Sequence, residues 1–127
     1  MAITHSTAVR NLLADVVGDA CAVGSATESK LNIRDASTLI VSFLLGNTPF
    51  GSPSSGVITA SAPPVATNAV ADGSSVDNFL LLDRDGTTIL SGSVTATGMG
   101  GDIEVSNINI ANNQDCELES LTYEAAP

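Results

Sequence analysis

The chain has 127 residues, 43% of them hydrophobic and only 3% aromatic, with no tryptophan and a formal net charge of −10. That length suits one domain with a core that needs no staples, built from Val, Ile, Leu and Ala around Phe43, Phe50, Phe79 and Tyr123. Residues 1–63 carry four acids against three bases and residues 64–127 ten acids against Arg84 alone, net −1 and −9, a distribution that excludes general binding to phosphate backbones.

The opening Met1-Ala2-Ile3-Thr4-His5-Ser6 has no cationic region and no unbroken apolar run, so no signal peptide is expected. No stretch approaches the ~20 apolar residues of a membrane span, and the protein is expected to be made in the cytosol. In that reducing compartment Cys21 and Cys116 read as reduced, buried small hydrophobes. A disulfide between the helix end and the last strand is geometrically open, but the spacing does not specify it.

Residues 7–20 predict a helix. Val9, Leu12, Leu13, Val16, Val17 and Ala20 recur at helical spacing. Ser6 or Thr7 can cap its first turn, and Gly24-Ser25 marks its end. This apolar stripe either closes a sheet or docks on a neighbouring subunit. Arg10, Asn11, Asp15 and Asp19 take the opposite face.

Lys30-Leu31-Asn32-Ile33-Arg34 alternates as a half-buried strand does. Leu39-Ile40-Val41-Ser42-Phe43-Leu44-Leu45 is continuous enough to predict a strand covered on both faces. The segment from Pro49 to Ala60 is a glycine- and proline-punctuated loop that runs into a strand at Val57–Ala60. It also separates the nearly neutral half of the chain from the acidic one. Residues 62–75 read as a long small-residue connection, with Pro63-Pro64 excluding a central strand there.

Asn78–Asp83 and Thr87–Val94 form a predicted hairpin around Asp83-Arg84-Asp85-Gly86, with Gly86 at positive φ. Gly98-Met99-Gly100-Gly101 permits a sharp change of direction. The alternation of Ile103, Val105, Ile108 and Ile110 breaks at Ser106-Asn107, as at a bulge or short turn. In the last run, Asp115 to Tyr123, Leu121 and Tyr123 leave the register of Cys116 and Leu118, predicting a bulge near Ser120 or burial on both sides. The whole reads as a single domain, 1–127, with a helix over about 7–20 and a β domain over about 29–124. The fold class is mainly β, a sandwich or barrel of about seven or eight short strands.

Chemistry is sparse. His5 is the sole histidine and nothing in the sequence positions it for nucleophilic catalysis. Two distant cysteines and a terminal histidine fall short of a zinc site. Asp83-Arg84-Asp85-Gly86 lacks the third ligand and the downstream glutamate of a calcium loop and reads as a hairpin turn. The Asp102/Glu104 and Glu117/Glu119 pairs read as solvated strand faces. No catalytic residue, cofactor or metal is expected, and the protein is not read as an enzyme.

Asn11-Leu12-Leu13, Lys30-Leu31-Asn32-Ile33, Phe50-Gly51 with Gly56-Val57-Ile58-Thr59-Ala60, Asp83-Arg84-Asp85-Gly86-Thr87, Gly92-Ser93-Val94-Thr95, Asp102-Ile103 and Leu121-Thr122-Tyr123 follow one another in a familiar order. In this the chain resembles small virion structural proteins of tailed bacteriophages, of the head decoration (cement) type. The resemblance spans most of residues 9–123, and no catalytic residues come with it. It departs at the more acidic segment 115–124 and at Phe79, which stands where a more aromatic strand is usual. It implies a protein of the virion, made in the host cytoplasm and bound to the outside of the major capsid protein shell. Self-association, expected as a homotrimer, and no nucleic-acid or membrane partner complete that expectation. A tail-tube, neck or head–tail connector subunit is the alternative. The candidate subunit or capsid contacts are Val9, Leu12, Leu13 and Val16 on the helix, Leu39, Val41 and Phe43 on the apolar strand, and Phe50 and Pro53 in the loop.

Overall fold

The computed structural model describes residues 3–125. One helix, α1 (Thr7–Cys21), precedes a β domain of nine strands among these residues. The Ser6 side chain caps the helix by accepting from Val9 N at 3.3 Å, which satisfies one of the amides left open in the first turn.

The strands β1 (Ser29–Asp35) and β2 (Thr38–Gly46) form a hairpin, and β1 pairs on its other side with β5 (Asn78–Leu82). Next come β6 (Thr88–Ala96) and β7 (Ile103–Val105), giving a five-stranded sheet of order β2-β1-β5-β6-β7. Only β6 and β7 run parallel. Parallel neighbours usually need a long crossover. Here six residues suffice, because Gly98 and Gly100 take φ of 87° and 82°, where a side chain would clash with the backbone.

Two ribbons complete the β domain. One pairs β3 (Val57–Thr59) with β9 (Thr122–Glu124), and the other pairs β4 (Val65–Asn68) with β8 (Asp115–Leu118). The amide of Val70 donates to Ile40 O at 2.8 Å and ties the second ribbon to β2. The architecture is therefore the mainly β, sandwich- or barrel-like fold with one N-terminal helix that the sequence predicts. Leu31, Ile40, Val41, Leu45, Ile58 and Val76 lie at its centre with almost no exposure.

Four local expectations change. The apolar run of β2 is covered on one face only, since Leu39 and Leu44 are exposed while Ile40, Val41, Phe43 and Leu45 are buried. A register shift at Ile33/Arg34 turns both Ile40 and Val41 inward, as a bulge allows. Residues 65–68, read as connection, form β4 directly after the two prolines, at the edge position that proline permits. The last run is two strands, because the chain leaves β4 and joins β3 between Leu118 and Thr122. The break falls at the predicted irregularity near Ser120. The fourth change concerns the helix.

Candidate functional site

The helix lies over the β3–β9 ribbon and the loop that leads into it. Its docking face is made of Arg10, Asn11, Ala14, Val17, Gly18 and Cys21, a stripe at helical spacing in which Ala14 and Cys21 are fully buried. Small residues let the helix approach closely: a Cβ on Gly18 would stand 3.2 Å from Ile58 Cδ1 and 3.4 Å from Phe50 Cβ. Asn11 Oδ1 accepts from Gly56 N at 2.8 Å. Arg10 Nη2 donates to Glu124 Oε1 at 2.9 Å and to Ala125 O at 3.3 Å. The Glu124 end of that ion pair is mostly exposed, so its Coulomb contribution is small, about 0–1 kcal/mol. The geometry matters more, because it fixes which way the helix faces.

The loop is shaped to receive it. Ser54 and Val57 exchange two backbone hydrogen bonds of 2.9 Å around Ser55 and Gly56, whose φ angles of 52° and 76° are those of a tight primed turn. A Cβ on Gly56 would meet the Arg10 side chain at 2.9 Å. Position 56 therefore needs glycine both for its backbone angle and for space.

Four residues of the predicted stripe consequently point away from the core, while Val17 of the same stripe packs against it. Leu12 and Val16 are each 66% exposed, with Val9 at 40% and Leu13 at 39%. These four candidate contacts sit together at i, i+3, i+4 and i+7 on one outward face, about 10 Å long at 1.5 Å per residue. Leu39 is also exposed, on β2. Val41, Phe43 and Phe50 are core residues at 7% exposure or less, so the expectation that they touch a partner is corrected. They point inward on the sheet or lie under the helix. Pro53 is half-buried in the loop.

The carboxylates of the β5–β6 turn serve the backbone. Asp83, itself buried, accepts from the amides of Asp85 and Thr87 at 2.9 Å each, and Gly86 has the predicted positive φ. Asp85 Oδ1 accepts from the amides of Ser25 and Ala26, both at 3.1 Å, which ties the turn to the helix exit. Cys21 and Cys116 are free thiols. Burial first, and the Asp83 charge second, push the Cys21 thiol up to about 11. No group of three His, Cys, Asp or Glu among the described residues is placed to hold a metal ion, and no described helix is long and apolar enough to cross a membrane.

Comparison of the chain with protein-family models, with curated proteins and with solved structures finds no match. The best-defined candidate site is the outward helix face, where four exposed apolar side chains lie together on one element of an acidic domain. Sequence periodicity found its residues, although it could not say on which side of the helix the core lies.

Proposed function

We propose that this protein is a structural subunit of a tailed-bacteriophage particle, a decoration protein that binds the outside of the major capsid protein shell and stabilises it by bridging subunits. The observation that carries the reading is the exposed Val9-Leu12-Leu13-Val16 face. The resemblance of its short motifs, in their order, to head decoration proteins supports it. Nine of the ten acids beyond residue 63 are exposed, and they would keep such particles apart in solution by like charge.

Magnitudes favour a lattice over a single strong contact. Fully burying an aliphatic side chain is worth roughly 1.5–3 kcal/mol. Four half-exposed ones therefore supply on the order of 4 kcal/mol, which corresponds to roughly millimolar affinity before any ordering cost. Contacts of that strength become lasting when a trimer engages several capsid subunits at once, since linked sites multiply.

Co-sedimentation with capsids that lack the protein tests the reading. Wild type is expected to pellet with the shells, and the double variant Leu12→Ser/Val16→Ser to remain in the supernatant while staying folded. Light scattering is expected to give a trimer mass. A stable monomer that never binds shells would end the proposal, and ring assemblies on micrographs would move it to a tail or neck subunit.

A further inference from the structure

The β wall is not closed. It continues from β2 through the Val70–Ile40 bond to the β4–β8 ribbon, but among the described residues β8 has no strand on its far side. Neither has β7, at the end of the five-stranded sheet. Between these two edges lies a cleft of about 590 Å³, walled by residues 102–107 and 114–122. Its floor is apolar, made where it is accessible by the half-buried Ile103, Val105, Leu118 and Leu121, which lie over the buried Leu31, Ile33, Val41 and Phe43 of β1 and β2. A volume of that size matches sites that enclose a small ligand or a short stretch of chain, roughly 300–1,000 Å³.

The charge around the cleft is of one sign. Asp102, Glu104, Asp115, Glu117 and Glu119 line it, and no lysine or arginine does. Asp102 accepts from the amide and hydroxyl of Ser93 at 2.9 and 3.1 Å, bonds that hold its carboxyl below the ordinary value and so keep it ionised. An apolar floor, two free strand edges and an anionic rim select an occupant that is extended, cationic at the rim and apolar beneath.

We propose that this seam receives an extended cationic segment of a partner protein, which adds as a strand along the free edge of β8. Main-chain bonds to an open edge supply affinity, and alternate side chains supply specificity. On β8, Asp115 and Glu117 are exposed while Cys116 and Leu118 turn toward the core. A strand beside it therefore sets lysine or arginine next to the two carboxylates and apolar side chains over the floor. A second copy of this chain is a poor occupant. Its net charge is −10, and its one alternating basic stretch, Lys30 to Arg34, is β1, paired on both sides. This surface is distinct from the helix face and does not depend on the capsid reading.

The test uses the full folded chain and fluorescently labelled eight-residue peptides, read by fluorescence anisotropy. A peptide alternating lysine and valine is expected to bind at least tenfold tighter than one alternating glutamate and valine, and than one with its four lysines and four valines in blocks. Methylating alternate backbone nitrogens of the lysine–valine peptide, on either register, is expected to abolish binding in the register that faces β8. The variant Glu117→Lys is expected to weaken the unmethylated peptide at least tenfold. Equal binding of alternating and blocked peptides, or indifference to methylation in both registers, would reduce the effect to diffuse electrostatics and overturn the proposal. No binding would show that the acidic rim only protects open edges from aggregation, and that too overturns it.

Discussion

Asp85 shows how single carboxylates act here through the backbone. The amides of Ser25 and then Ala26 hold its carboxyl below the ordinary value of 3.8, with a smaller contribution from the Arg84 charge. A carboxyl whose pKa folding depresses adds stability that is fully present above its unfolded value and is lost as pH falls through the folded one. The stability gap between wild type and Asp85→Asn is therefore expected to hold steady from neutral pH down to the region of 3.8 and to close below it. Denaturant unfolding at stepped pH measures this. Because the two proteins share their other acids, the comparison largely cancels the general relief of repulsion that acid brings to so anionic a chain. Asp83-Arg84-Asp85-Gly86 was legible as a turn because glycine at positive φ and aspartate at turn starts are local chemistry. That Asp85 reaches back some 60 residues to the helix exit was not legible, because spacing within a turn says nothing about what packs against it.

At the scale of elements, the helix separates two kinds of information. Periodicity of apolar residues marked α1, its cap and one of its faces, and all three exist. The face that meets the core is another, chosen by size and bonding: Ala14 and Gly18 permit close approach, and Arg10 and Asn11 bond to β9 and to Gly56. Ala14→Leu is accordingly expected to destabilise the fold by roughly 1–3 kcal/mol through overpacking. Leu12→Ala, on the outward face, is expected to change stability by less than about 0.5 kcal/mol. Urea unfolding of the two variants tells them apart, and the reverse ranking would mean that the helix is turned over. The strands follow a similar division. Alternation located β1 and turn chemistry the β5–β6 hairpin, whereas the bulge in β2, the exchange of partners between β8 and β9, and the edge strand β4 depend on neighbours far along the chain.

At the scale of the molecule, the two cysteines report on different parts of the fold. Cys21 is sealed where the helix meets the β domain, and burial with the nearby Asp83 charge raises its pKa to about 11. Cys116 lies half-buried on β8, at the open seam, with a thiol also raised by burial and by Asp115. Alkylation with iodoacetamide at mildly alkaline pH, followed by mass spectrometry, is expected to modify Cys116 in the native protein. Modification of Cys21 is expected only at the rate of global unfolding. Native labelling of Cys21 would show that the helix opens by itself, since local openings expose residues below the global cost.

The sequence by itself determined the class of this molecule. Length, aliphatic content, turn chemistry and short alternating runs lead to one mainly β domain behind a capped helix, and charge counting leads to an acidic second half. Those are sums over residues or patterns within a few of them, so they can be read without coordinates. Tertiary structure decided the direction in which each patterned face points. Val9, Leu12, Leu13 and Val16 face solvent because Ala14, Gly18 and Cys21 fit the ribbon beneath more closely. Phe50 lies under the helix, and the β wall stays open between β7 and β8. Close fit and strand partnership are relations between residues distant in the chain, which one-dimensional periodicity does not encode.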